Sequence, residues 1–395
     1  MENKYLLGCC ISTFISDIDI SIIISKSEHI EKDSLIRGIF TNLNYTRCLA
    51  IIENKSDDIQ ARILTFVPIT EEVVTKVQEL KEAAQCLYWS LNSVRGFIIN
   101  RVELCENIVK NFNKVGRTDN SILILYNCIL NEHMDVVPDL VIDTLNQHVE
   151  VNIQGTESLQ EFYVQNLIKW LQEHDADKNR MVIIEWEYLV CLNESDGYAP
   201  IYLWNELSTN PDYYIGILKW ISGKENDFKG TEEEKNRIIT QCYRLMFSWK
   251  KTPGMCMDGS FNDEILERWM EVVVKKSKAI GIQNIAMNYF GKAAFHAPKD
   301  KDGFFIERNV AKYLQNDKDG HALSGYFNES INSRGIHAVD KTGEAEFAIE
   351  AVYLQKVIAA EEAGLFRFAA TLRKIAKSYH EDGERNKEGT YWNEE

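Results

Sequence analysis

The stretch FAIEAVYLQKVIAAEEAGLFRFAATLRKIAKSY, residues 347–379, decides the fold class because it carries two helical patterns around one glycine. Apolar residues of its first half follow an i, i+4, i+7, i+11 spacing, which places them on one helix face. They are Phe347, Ala351, Leu354 and Ile358. The second half has a similar face, made of Leu365, Phe368, Ala369, Leu372, Ile375, Ala376 and Tyr379. We predict an antiparallel helical hairpin that turns at Gly364 and packs these two faces together.

Helical patterns also run through most of the chain that precedes this hairpin. They cover residues 70–91, 95–113, 119–131, 135–148, 156–174, 177–193, 231–249, 261–278, 281–296 and 304–315. Short polar or Gly/Pro segments join them, and successive helices with short connections are typical of stacked helical hairpins. Only six prolines interrupt the 395 residues. We therefore predict an all-α protein in which an irregular α-solenoid is followed by a more globular helical domain.

The domain organisation is predicted from changes in this pattern. Residues 1–150 should form an irregular helical-repeat region, although residues 1–69 fit short strands as well as buried helices. Residues 151–387 should form an aromatic-rich helical domain that ends in the terminal hairpin, and residues 388–395 a polar tail. Aromatic residues are concentrated at 183–222, where we expect them to fill a core. An exposed aromatic recognition groove is the alternative.

The composition limits the classes of partner. A net charge of −16 repels phosphate backbones, so a nucleic-acid partner is not expected. The N-terminus has no signal-peptide pattern, and the apolar runs are far shorter than the roughly 18 to 20 residues that span a bilayer. Nine cysteines without CxxC spacing indicate free thiols in a reducing compartment. We predict a cytoplasmic protein with no membrane partner.

Motifs that hold nucleotides, metals or catalytic nucleophiles are missing from the sequence. It contains no GxGxxG, no GxxxxGK[ST], no HExxH and no GxSxG. Two Asp-Gly segments, at 299–307 and 316–322, lack the terminal carboxylates of a calcium loop and are interpreted as turns. His296, His321 and His337 do not have the spacing of zinc ligands. We predict no cofactor, no metal and no assigned catalytic residue.

The segment FNESINSRGIHAVDKTGEA, residues 327–345, is the strongest candidate site. Its candidate binding residues are Asn332, Arg334, His337 and Asp340. In one interpretation Arg334, His337 and Asp340 bind an anion or phosphoester, which would make the chain a hydrolase or nuclease. In the other, Gly335 and Gly343 supply positive φ angles and Arg334 fixes the loop by hydrogen bonds. We favour this hydrogen-bonded connector and keep the enzyme as the alternative.

A second candidate binding segment is formed by Trp186, Glu187 and Tyr188. Glu185 and Glu187 alternate along the chain, so they do not share a helix face and cannot act as a catalytic pair from one side. If the segment is helical, Glu187 is expected to pair with an arginine, either Arg180 or Arg334.

Several of these segments carry a resemblance to a known group of proteins. NSRGIH at 332–337 is similar to an asparagine–serine–arginine–glycine–valine–histidine stretch that precedes two final helices in a family of large bacterial multidomain proteins. Leu372–Arg373 and Ser378–Tyr379 match two residue pairs in the last helix of that family. Further similar blocks, in the same order, are LYWSL (87–91), KVGRTDNSILILYNCIL (114–130), WEYL (186–189), SWKKTPG (248–254) and DGSFND (258–263).

The resemblance implies a role as well as a fold. Members of the family are longer, with effector or nucleotide-binding regions toward the N-terminus, so this chain would correspond to their C-terminal helical part. Some members look like bacterial defence or stress sensors in which the helical part recognises a partner. The implied function is a non-catalytic protein–protein recognition or scaffold module, the sensing part of an anti-phage or stress-response system. Its implied partner is an effector subunit or a phage protein.

Overall fold

The structure is built from α-helices in all the regions it describes. The computed structural model describes residues 2–12, 14–92, 102–130, 136–151, 158–174, 176–225, 227–335 and 341–388. These residues form 21 α-helices and two 3-10 helices, with no strand beyond an isolated bridge between Met255 and Phe261. The all-α prediction is confirmed, and the solenoid arrangement stays a prediction. The chain packs as two compact units, Met1–Glu187 and Tyr188–Glu395.

The first unit contains α1 to α12. They are α1 (Glu2–Ile11), α2 (Asp17–Lys26), α3 (Ser34–Thr41), α4 (Tyr45–Ile52), α5 (Asp57–Leu64), α6 (Glu71–Gln78), α7 (Glu82–Leu91), α8 (Val102–Lys114), α9 (Thr118–Leu130), α10 (Pro138–Val151), α11 (Ser158–Glu173) and α12 (Lys178–Glu187), with a 3-10 turn at Ile30–Lys32. The stretch 1–69, which fitted either strands or helices, is therefore helical through α1 to α5.

The helical pattern at 70–91 is interrupted where the sequence predicts continuity. The helix begins as expected, since the Thr70 hydroxyl accepts the backbone N–H of Val73. After α6, however, the N–H of Lys81 donates to the Asp57 carboxylate over 3.2 Å instead of continuing the helical ladder. A side chain at the start of α5 thus ends α6 and sets the start of α7.

The second unit contains α13 to α21. They are α13 (Ile201–Thr209), α14 (Pro211–Ile221), α15 (Glu232–Ser248), α16 (Asp263–Ala279), α17 (Gln283–Ala294), α18 (Arg308–Asn316), α19 (His321–Asn332), α20 (Glu344–Glu362) and α21 (Phe366–Glu388), with a 3-10 turn at Glu194–Asp196. Thr231 and Glu234 form a capping box at the start of α15, as the sequence indicates. Residues 389–395 of the predicted tail lie outside the described residues.

An aromatic cluster fills the centre of the second unit. The Tyr214 ring lies 4.8 Å from that of Trp269 and 5.4 Å from that of Trp249, measured between centroids. The Tyr214 hydroxyl donates to the carbonyl of Ala286 over 2.6 Å, so its buried polar atom has a partner. Tyr214 comes from the predicted aromatic segment, which is buried here as expected. The two tryptophans come from later in the chain.

Two glycines let α17 and α19 cross in backbone contact. A Cβ atom built on Gly291 would lie 1.8 Å from the carbonyl oxygen of Ala322, and one built on Gly325 would lie 1.9 Å from that of Asn288. Neither distance leaves room for a methyl group. The crossing therefore depends on glycine at both positions. It fixes the position of α19, the helix that precedes the terminal hairpin.

The terminal hairpin forms, but α20 presents a different face to α21 than the sequence predicts. The buried residues of α20 are Glu346, Tyr353, Val357 and Ala360. Most of the predicted seam is turned outward, with Leu354 43% and Ile358 48% exposed, although Phe347 is half-buried beside His380 of α21. In α21 the predicted face is correct, since Phe368, Leu372 and Ile375 are fully buried. The prediction for α20 was wrong because this helix is apolar on two sides and only one of them meets α21.

Candidate functional site

The candidate segment 327–345 links α19 to α20. Asn332 is the last residue of α19 and is exposed. The N–H of Gly335 donates to the carbonyl of Asn332 over 3.1 Å, and Gly335 has a φ of 65°, in the left-handed region as predicted. His337 and Asp340 lie outside the described residues. Their part in a site stays a prediction.

Arg334 makes an ion pair with a carboxylate in the first turn of α20. Its Nη1 lies 2.7 Å from Oε1 of Glu346, whose side chain is only 1% exposed. Burial alone would raise the pKa of Glu346. The hydrogen bond and charge of Arg334, aided by hydrogen bonds from the Glu346 backbone and Asn386, instead hold that pKa below its usual range. The guanidinium therefore neutralises a buried charge of its own fold.

The hairpin is tied to the preceding helix beside this ion pair. The Tyr379 hydroxyl of α21 donates to the carbonyl of Ser330 in α19 over 2.9 Å. Gly343 caps α20 with a φ of 71°, and a Cβ atom there would lie 2.4 Å from the carbonyl oxygen of Gly383 in α21. These contacts support the interpretation of the segment as a connector that positions α20 and α21.

The second candidate segment lies at the division between the two compact units. Trp186 and Glu187 are half-buried at the end of α12, whereas Tyr188 is buried and begins the second unit. Glu187 is not the partner of an arginine, because Arg180 pairs with Asp139 and Asp143 and Arg334 pairs with Glu346. That predicted pairing was wrong.

The sequence also pointed to the wrong glutamate of this segment. Glu185, not Glu187, is fully buried, and its Oε1 accepts a hydrogen bond from Nε2 of Gln172 over 2.7 Å.

A buried polar cluster joins α15, α17 and α19. His296 Nε2 lies 2.8 Å from Oε1 of Glu329, and Lys292 Nζ lies 3.8 Å from Oε2 of the same carboxylate. The Lys292 ammonium also donates to the carbonyls of Met246 and Phe247 at the end of α15. Burial lowers the pKa of Lys292. Lys292 thus caps the C-terminus of α15, because its ammonium donates to the last carbonyl groups of that helix.

The histidines and acids near the C-terminus do not assemble into a ligand set in the described structure. Among these residues, no three histidine, cysteine, aspartate or glutamate side chains are placed to hold a metal ion. His296 is paired with Glu329, and the Asp300 carboxylate accepts the N–H groups of Asp302 and Arg308 in a turn. Gly303 and Gly320 have φ angles of 84° and 77°, which fits the predicted Asp-Gly turns.

An open groove of about 640 Å³ lies between α19 and α21. Its cations are Lys318, Arg367, Lys374 and Lys377, and its acids are Asp317, Asp319 and Glu381. Lys377 lies 3.5 Å from Glu381, so part of the positive charge is already paired. Such mixed charge does not select an anionic ligand.

An exposed apolar surface lies on the outer face of α20. We name Ala351, Leu354 and Ile358, which are exposed, the outer stripe. Phe347, one turn before it, is half-buried and its ring lies 5.7 Å from that of His380 in α21. At 100° per residue, glutamates flank it on both sides: Glu350 and Glu361 on one, Glu344 and Glu362 on the other. Glu350 and Glu361 are held by His380 and Arg373 of α21, whereas Glu344 and Glu362 are exposed. The result is an apolar strip with acidic edges.

Comparison with protein-family models, with curated proteins and with solved structures finds no match to this chain. The described helices also include none that is long and apolar enough to cross a bilayer. The functional conclusion therefore depends on the chemistry of the surfaces and clusters described above.

Proposed function

We propose that this chain is a non-catalytic recognition module that binds a protein partner through the outer stripe of α20. The observation that carries the proposal is an apolar face on a well-formed helix, with Leu354 and Ile358 almost half exposed. Spacing of i, i+3 and i+7 is the spacing with which one helix packs along another. The stripe covers about two turns, or roughly 10 Å, which suits a helical partner.

The acidic edges of the stripe specify the chemistry of that partner. Four glutamates flank the apolar residues, and the chain as a whole carries a charge of −16. A second copy of α20 would bring like charges together, which is unfavourable. An amphipathic helix with a leucine-type stripe and flanking lysines or arginines complements the surface in both shape and charge.

The family resemblance extends this proposal to a biological setting. It supports a sensing part of a bacterial anti-phage or stress-response system, whose partner is an effector subunit or a phage protein. The alternative hydrolase or nuclease receives no support from Arg334, because the guanidinium of that residue is engaged by the buried Glu346.

We expect the double variant Leu354→Asp/Ile358→Asp to weaken binding of a basic amphipathic peptide roughly 30-fold. Burying the exposed half of each side chain contributes about 1 kcal/mol, and each aspartate adds a desolvation penalty. The probe is a fluorescein-labelled helical peptide of about 20 residues, with leucines at the stripe spacing and lysines on both sides. Fluorescence anisotropy measures its dissociation constant.

The matched control is Ala348→Asp/Val352→Asp, which places the same two charges at the same spacing on a different exposed face of α20. It should keep wild-type affinity. A peptide with glutamate in place of every lysine should not bind. Equal loss in both double variants, or equal binding of the acidic peptide, would contradict a stripe that selects basic helices. Sedimentation that shows an Ile358-dependent dimer would assign the stripe to self-association instead.

The defence role has a separate test in bacteria. With the natural gene, the plating efficiency of at least one phage in a panel should fall, and Leu354→Asp/Ile358→Asp should restore plating while Ala348→Asp/Val352→Asp does not. Immunoblots establish equal protein levels. If the wild-type gene leaves every phage and stress survival unchanged, the sensing role is wrong even where the peptide binds.

A further inference from the structure

Two buried cysteine sulfurs lie in direct contact in the first unit. The Sγ atoms of Cys105, in α8, and Cys128, in α9, are 2.8 Å apart. Both residues are almost completely buried, at 3% and 4% exposure. A disulfide bond is about 2.05 Å long, so the two sulfurs need to approach by less than about 1 Å to be joined. Helices α8 and α9 already hold them in position.

Cys48 and Cys242 are buried thiols in a different setting. The nearest acceptors of Cys48 Sγ are the carbonyl oxygens of Phe40 and Leu43, at 3.9 and 4.0 Å. Burial raises the pKa of the Cys48 thiol to about 11 and that of Cys242 to about 12, so both stay protonated and unreactive. The close sulfur neighbour therefore sets Cys105 and Cys128 apart from Cys48 and Cys242.

We infer that Cys105 and Cys128 are a modification site, a dithiol that peroxide converts into a disulfide between α8 and α9. Hydrogen peroxide is the oxidant. The Cys128 thiol gives up its proton, its sulfur attacks one peroxide oxygen and the O–O bond breaks. A sulfenic acid forms, and the departing hydroxide takes up that proton and leaves as water. The Cys105 sulfur then attacks the sulfenic sulfur, the S–O bond breaks, and a second water leaves. The two sulfurs lose two electrons in total, and peroxide gains two.

The contact also indicates which sulfur reacts first. The Cys105 thiol, placed to donate a hydrogen bond to the neighbouring sulfur, lowers the pKa of Cys128 despite burial. The same hydrogen bond, together with burial, raises the pKa of Cys105. A sulfenic acid formed on Cys128 would have the Cys105 sulfur beside it to capture it at once.

The site is tested on the full chain treated with excess hydrogen peroxide, then alkylated under denaturing conditions and digested with trypsin without reductant. Cleavage after Arg101, Lys110, Arg117 and Lys169 isolates Cys105 in peptide 102–110 and Cys128 in peptide 118–169. We expect these two peptides to be linked, with a mass lower by two hydrogens than their sum. The free thiol count should fall from nine to seven or fewer, because accessible thiols such as Cys10 are oxidised as well. The oxidised chain should melt about 5 °C higher because the bond closes a loop.

Three variants separate this outcome from general oxidation. Cys105→Ser and Cys128→Ser should each lose the linked peptide and the rise in melting temperature. Cys242→Ser, which removes another buried thiol, should keep both. The inference is overturned if the thiols are consumed without this linked peptide, if a different pair is linked, or if the linked peptide persists in Cys105→Ser. It is also overturned if the wild-type chain keeps nine thiols after oxidation.

Discussion

Gly291→Ala is expected to destabilise the second unit by about 3 kcal/mol or more. The added Cβ atom would lie 1.8 Å from the carbonyl oxygen of Ala322 and 2.8 Å from its Cα atom. A flexible side chain could move away, but both clashing atoms belong to the backbone of α19. Overpacking by one methyl group therefore forces α17 and α19 apart and disturbs the aromatic cluster beside them. Gly325→Ala, from the opposite side of the crossing, should have a similar effect.

The measurement is urea unfolding followed by tryptophan fluorescence, because five of the eight tryptophans lie in Tyr188–Glu395. Gly216→Ala is the matched control. That glycine lies inside α14 and a Cβ atom there meets nothing within 4 Å, so alanine should stabilise by about 0.5 to 1 kcal/mol through helix propensity. A loss in Gly216→Ala as large as in Gly291→Ala would show that the loss does not come from the crossing of α17 and α19.

Local sequence signals predict the helices of this protein well. Apolar spacing and end signals such as the Thr231 capping box depend on neighbouring residues, so they are visible in the sequence. The sequence does not predict which face of α20 is buried. One of its faces carries Ala351, Leu354 and Ile358, and the other carries Tyr353 and Val357, so spacing alone gives two equivalent seams. The sequence of α20 contains more apolar residues than one helix face can bury. This excess indicates that one apolar stripe stays exposed.

Long-range contacts explain what the sequence could not reveal about the candidate sites. Arg334 was expected to fix its loop, but its partner Glu346 looked like an ordinary first-turn glutamate of a helix. Cys105 and Cys128 are 23 positions apart and match no cysteine motif. Their contact depends on the register of α8 against α9. Such a register is set by packing, and periodicity within each helix does not contain it.

Arg334→Ala is expected to destabilise the second unit by about 3 kcal/mol at neutral pH. Glu346 is 1% exposed, and without the guanidinium its charge is left buried with incomplete compensation. The variant also loses the ion pair that connects the end of α19 to α20, so the terminal hairpin should unfold first. Urea unfolding of Arg334→Ala, Glu346→Gln and the double variant measures the coupling between the two side chains. Glu346→Gln should rescue most of the loss in Arg334→Ala, because it removes the unpaired charge.

The pH dependence of the Arg334→Ala effect separates an ion pair from simple packing. In the wild type the pKa of Glu346 lies below its ordinary value of 4.5, so the pair contributes fully above pH 4.5 and is lost as the pH falls through the lowered pKa. In Arg334→Ala, burial should raise that pKa above 4.5. The penalty in this variant is then present at neutral pH and shrinks as acid protonates Glu346 in the folded state. The stability difference between the two proteins should therefore narrow steadily from pH 7 to pH 4. A difference that stays constant over this range would mean that Arg334 acts through the packing of its carbon chain and not through its charge.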